Sequence, residues 1–250
     1  MSRLAIPLLC AFILVTAALP AKAGELVIDL SKSVVAITTG FEGSDLLLFG
    51  AAEGEGDIVV VVSGPQRDET VRRKKRTAGV WVNRDEMVFD QVPGFYAIAG
   101  NRPIDEFMSE ELRANFQIGL EYLELQPSKG KRQRSEEEIK DFRQALIRNK
   151  QRQGLYGDQP GSVIFLGNRL FRSRLSFPVN VNVGTYGVDV YLVRDGKVAT
   201  IETTLLTVRK FGFEAGVYDF AHRQSMSYGI FAIIIAVMAG WLAGTIFRKA

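Results

Sequence analysis

The sequence predicts a mainly β protein: an Ig-like antiparallel β-sandwich interrupted by a helical insertion, followed by one C-terminal transmembrane helix. Three observations carry this expectation. Short β-rich runs divided by turn residues lie on both sides of a central stretch, at about 103–154, whose apolar spacing changes from two to three and four. An Asp-Gly pair at 195–196 sits between two β-rich runs, a strong hairpin signal. From Tyr228 to Phe247 the chain has no charged residue, a length that spans about 30 Å as a helix.

The 250 residues are 47% hydrophobic and 24% charged, a balance that excludes wholesale disorder. Cys10 is the one cysteine and His222 the one histidine. Disulfide frameworks, Cys/His zinc sites and His-activated nucleophiles are therefore excluded. The expectation is a non-enzyme with no catalytic residues, no metal site and no cofactor.

Residues 1–23 read as a secretory signal. Arg3 supplies the positive start, Leu4 to Leu19 is uncharged, and Ala21-Lys22-Ala23 places small residues at −3 and −1 before Gly24. An uncleaved anchor is the alternative, although Pro7 and Pro20 bracket less than the usual span. Loss of Arg3 and Lys22 turns 31 basic residues into 29 against 28 acidic ones, a formal charge of +1. Cys10 leaves with the signal. Nucleic acid is not expected as a partner outside the cytoplasm.

The extracytoplasmic domain is placed at 24–227. Its first strands are read at Leu26–Leu30, Ser33–Thr39, Asp45–Phe49 and Asp57–Val62. Ile58 to Val62 lacks polar alternation and is expected to be covered on both faces. Gly79–Asn83, Met87–Asp90 and Phe95–Ala99 add three more. After Pro103, a stripe of Ile104, Phe107, Met108, Leu112, Phe116, Leu120 and Leu123 predicts one helix. Ser135 and Glu138 form a capping box for a second, with Ile139, Phe142 and Leu146 facing inward, Arg148, Lys150 and Arg152 in its last turn and Gly154 closing it.

Beyond the insertion, Leu175, Phe177, Val179, Val181 and Val183 alternate with polar residues and predict one strand. Gly184 to Leu192 and Lys197 to Val208 then form the Asp195-Gly196 hairpin. Tyr186 is placed to make a tyrosine corner. One sandwich joining both sets of strands is expected, with two smaller ones as the alternative. Residues 228–247 form the span and 248–250 a cytoplasmic tail, since Arg248 and Lys249 are retained inside. A buried helix of a soluble domain is the alternative. Within the span, Ala232, Ala236, Gly240 and Gly244 recur at every fourth position, a spacing that lets helices pack closely.

Catalytic signatures are poor. Ser128-Lys-Gly-Lys131 matches S-x-x-K without its companion motifs, Gly54-Glu-Gly56 opens no helix, Glu136 to Glu138 suit a helix start, and His222 precedes the span. The unusual segment is Arg72-Arg73-Lys74-Lys75-Arg76, five consecutive cations. They read either as a charged edge strand that resists aggregation or as a site for an anion, an acidic partner or anionic lipid. A second basic cluster, Lys129 to Arg134, reads as a solvated loop.

Several segments together resemble a known family. Phe41-x-Gly43-x-Asp45-Leu-Leu-Leu-Phe-Gly50, the basic run leading into Gly79-Val-Trp-Val-Asn83, Gly184-Thr-Tyr186 and Phe220-Ala-His-Arg-Gln224 are similar to the alphaproteobacterial putative transmembrane protein family. The resemblance covers essentially the whole mature chain. It implies an inner-membrane protein with a periplasmic domain, no catalytic residues, and a permease of the sulfite/organosulfonate type as a candidate partner. The expected function is that of a membrane-anchored periplasmic accessory or binding protein. The alternative is an envelope protein that self-associates through its span and has no ligand.

Overall fold

The computed structural model describes residues 25–77, 79–128, 134–211 and 225–247. The signal reading, the S-x-x-K lysines, most of the second basic cluster and His222 lie outside these residues. Twelve strands are described: β1 (Leu26–Leu30), β2 (Val34–Ile37), β3 (Ser44–Ala52), β4 (Asp57–Ser63), β5 (Gln66–Thr77), β6 (Val80–Pro93), β7 (Tyr96–Gly100), β8 (Gln126–Pro127), β9 (Gly161–Leu166), β10 (Leu170–Phe177), β11 (Gly184–Arg194) and β12 (Lys197–Lys210). The helices are α1 (Glu110–Asn115), α2 (Glu136–Arg152) and α3 (Ser225–Phe247).

Nine strands form one sheet in the order β1-β3-β10-β9-β7-β4-β11-β12-β2, and β5-β6-β8 form a second. The large sheet curls so that β1 packs against β12. Strands from before and after the helical stretch alternate within it. As expected, Ile58 to Val62 of β4 is buried on both faces, between β7 and β11. The Asp195-Gly196 turn has φ of 51° and 70°, the double positive φ that a tight hairpin requires. Tyr186 makes its corner: its hydroxyl donates to the Asn182 carbonyl at 2.6 Å, and burial pushes its pKa up to about 12.

The sheet corrects the expectation of an antiparallel arrangement. β2 runs parallel to β12 and β9 runs parallel to β7. The helical stretch is the reason for the second pair: it forms most of the β7–β9 connection, and a long crossover returns the chain in the same direction. The strands read at 79–83 and 87–90 are one strand, β6, whose backbone pairs with β5 on both sides of the intervening positions. The alternation read through Val183 ends at Phe177. Pro178 accepts from the Val181 N–H at 3.1 Å in a turn, leaving Val179 and Val183 exposed.

The first predicted helix is also divided. A 3-10 turn at Ile104–Glu106, α1 and a second 3-10 turn at Leu120–Tyr122 replace it. Gln117 at φ 52° and Gly119 at φ 121° break the helical path, yet Ile104, Phe107, Met108 and Leu123 of the stripe are buried. In α2 the Ser135 hydroxyl accepts the Glu138 N–H at 3.2 Å, as the capping box predicts, and Phe142 and Leu146 are buried.

Among the described residues no helix is long and apolar enough to cross a membrane. Read through all its positions, however, α3 has 23 residues with no Asp, Glu, Lys or Arg, about 35 Å at 1.5 Å per residue.

Candidate functional site

The basic run occupies β5, an edge strand of the small sheet. Extended backbone sends alternate side chains to opposite faces, so the five cations separate. Arg72 pairs with Glu86 of β6 at 3.2 Å. Arg73 turns to α2, pairing with Asp141 at 3.1 Å and lying 4.7 Å from the centre of the Phe142 ring. Arg134, just before α2, meets the same ring at 5.3 Å and pairs with Asp85. Arg76 bonds to the Gly79 carbonyl, and Lys74 is exposed with no ion pair among the described residues. The side chain of Lys75 lies outside the described set.

Sequence reading missed the group that fastens this layer. Lys150 of α2 is buried and pairs with Glu69 of β5. Its position four residues after Leu146, itself four after Phe142, puts it on the inward face, whereas sequence analysis placed it only as a cation of the last helical turn. Arg72 and Arg73 are thus held by ion pairs while staying exposed, and Lys74 and Arg76 are exposed without one among the described residues.

A cleft of about 510 Å³ opens where the helical stretch meets β7 and β9. Tyr96 shapes it. Its hydroxyl donates to the Gln117 carbonyl at 2.6 Å and accepts the Gly119 N–H at 2.9 Å, clamping the strained turn that breaks the helical path. Burial raises the Tyr96 pKa well above its ordinary 10, so the hydroxyl keeps the proton that it donates to Gln117. Arg113 lines the opposite wall, stacked 5.1 Å from the Tyr122 ring and 3.8 Å from Glu121, with its Nε buried and unbonded. Arg102, Asp105 and the stretch from Gly157 to Ser162 that leads into β9 complete the rim. No cluster of metal-ligating side chains occurs among the described residues. The cleft offers charges of both signs and close backbone, an arrangement for binding a polar molecule or a peptide loop.

On α3, Ala236, Gly240 and Gly244 are exposed, and a Cβ at either glycine would meet nothing within 4 Å. The side chain of Ala232 lies outside the described set. The small-residue row has no partner within the described chain.

The family model described as Putative transmembrane protein (Alph_Pro_TM) matches residues 25–249. The chain belongs to this family. No curated protein and no solved structure matches it. The match runs through the β domain, the residues that line the cleft and α3.

The rim of the cleft is held by charge. Arg102 donates Nε to Asp57 Oδ1 at 2.8 Å and Nη2 to Oδ2 at 2.7 Å, a two-pronged pair, and reaches Glu106 at 3.3 Å. Asn101 donates to the same carboxylate at 2.9 Å while its own oxygen caps the Ile58 N–H. The Arg102 bonds hold the Asp57 pKa below its ordinary 3.8. A carboxyl whose pKa falls on folding stabilises the fold above its unfolded pKa, and that contribution drains away as pH drops below it. Asp57→Asn is therefore expected to cost about 1 kcal/mol at pH 7, discounted for the half-exposed arginine. The gap in Tm from the parent should hold above the ordinary 3.8 and narrow as pH falls below it. An unchanged gap through that fall in pH would remove Asp57 from the pH response.

Proposed function

We propose that this protein is a single-span accessory protein of the inner membrane: its β domain stands in the periplasm, α3 crosses the bilayer, and its cleft receives a ligand or partner loop. The carrying observation is α3 itself. Ile233, Ile235, Val237 and Trp241 are each more than 60% exposed, and leaving such side chains in water costs roughly 1.5–3 kcal/mol apiece. A helix apolar on every side is covered by protein or by lipid, and no described element covers it. Arg248 and Lys249 would hold its end in the cytoplasm. Family resemblance supports a permease for sulfite- or organosulfonate-like anions as the partner.

Reporter fusions test the topology. An enzyme active only in the periplasm should work when fused after Ser227 and fail after Ala250; the reverse would overturn the orientation. A second reading, a self-associating envelope protein, is favoured by the uncovered row of Ala236, Gly240 and Gly244. Purification in mild detergent separates the two, through a permease in the eluate or a homo-oligomer alone.

A further inference from the structure

The outer face of β1, β3, β10 and β9 is built unlike an ordinary wet surface. Val27, Leu47, Phe49, Ile164, Leu166 and Leu170 point outward from these four adjacent strands, each between 41% and 60% exposed. A groove of about 360 Å³ runs between them. Contiguous apolar surface of this kind marks an interaction site.

The register gives the face a definite pattern. One row across the strands reads Val27, Ala51, Leu170, Leu166; the next reads Asp29, Phe49, Arg172, Ile164. Asp29 and Arg172 thus flank Phe49, one strand away on either side. Neither has an ion-pair partner among the described residues; Asp29 only accepts the N–H of Leu30.

We infer that a second copy of this chain docks on this face, about a two-fold axis lying along β3. That rotation places β1 of one copy over β10 of the other, row for row. Val27 then faces Leu170 of the second copy, Asp29 faces its Arg172, and Phe49 meets Phe49 on the axis. Stacked sheets lie about 10 Å apart, a gap that the long arginine side chain crosses. Two other placements fare worse on the same register. An axis between β3 and β10 sets Phe49 on Arg172, Leu47 on Arg174 and Asp29 on Ile164, so that no charge meets an opposite one. An axis across the strands through Phe49 sets Asp29 on Asp29 and Arg172 on Arg172. Self-complementarity of one patch is what a two-fold interface requires.

The axis along β3 also keeps the strands of both copies pointing the same way, so both chains leave for α3 at the same height. This last point rests on the reading of α3 as a span, whose insertion permits only an axis across the membrane. The face itself does not depend on it.

The test uses the full chain in phosphatidylethanolamine/phosphatidylglycerol vesicles. After signal removal the chain has no cysteine, so Ala51→Cys beside the axis and Thr203→Cys on exposed β12 can each be treated with a bismaleimide of about 10 Å reach. Cross-linked dimer is expected at position 51 and not at 203. Asp29→Arg and Arg172→Asp should each cut the yield about ten-fold, and the double exchange should restore it, a rescue that misfolding would not produce. No cross-link at 51, equal yield at 203, or reversals without rescue would overturn the inference. So would a lipid-sensitive probe at Leu170→Cys that reports bilayer contact in the uncross-linked chain. Carbonate extraction separates the two readings: a chain released from vesicles that still cross-links at 51 defeats the span and leaves the interface standing.

Discussion

Glu69→Ala is expected to lower stability by about 2–3 kcal/mol, a fall in Tm of roughly 5–10 °C, measurable by thermal unfolding of the full chain. The cause is the group left behind. The Lys150 side chain is 6% exposed and Glu69 is its ion-pair partner; without it, an ammonium group stays in a dry layer with nothing to balance it. Removing one member of a fully buried pair costs about 3–5 kcal/mol, and the figure here is lower because Glu69 is partly open to solvent. Lys150→Met should cost under about 1 kcal/mol, since an apolar chain of similar length fills the space without a desolvated charge. Equal losses from the two variants would show that packing, not the charge, dominates. Glu69→Ala should also loosen α2 from β5, with faster hydrogen exchange at the amides of Phe142 to Lys150.

Tyr96→Phe is expected to cost a further-reaching 2–4 kcal/mol, because one hydroxyl satisfies two backbone groups. The Gln117 carbonyl and the Gly119 N–H both lose their partner, and each unsatisfied buried group costs about 1–3 kcal/mol. The turn at 117–119 has two residues at positive φ, so it has little to hold its shape once the strut is gone. The cleft wall carrying Ile118 and Gly119 should become susceptible to protease while the sheet keeps its far-ultraviolet signal. Protease resistance equal to the parent's would show that the turn holds its shape without the strut.

Much of the local structure was legible in the residues. Ser135 and Glu138 announced the start of α2, Asp195-Gly196 the β11–β12 turn, and the unbroken valines of β4 a strand buried on both faces. The basic run was legible as an edge strand, since charge at an edge is a local pattern. Its pairing was not. Whether Arg73 meets solvent or Asp141 depends on where α2 lies, and no spacing within 72–76 encodes that. The divided helix shows the same limit from the other side. The stripe of Ile104, Phe107, Met108 and Leu123 correctly marked burial, but burial at helical spacing does not require an unbroken helix when Tyr96 can hold a turn across it.

The sequence by itself therefore determined the mainly β character, the caps and turns, the Tyr186 corner and the uncharged length of α3. Each of these follows from interactions within a few residues: a hydroxyl on a nearby N–H, a positive φ, an apolar period. Only the tertiary structure decided the nine-strand order with its two parallel pairs, the Lys150–Glu69 bond, the clamp at Tyr96 and the apolar outer face centred on Phe49. These join residues tens of positions apart, and their partners are set by strand register and by the return path of long connections, which hydrophobic period alone leaves open.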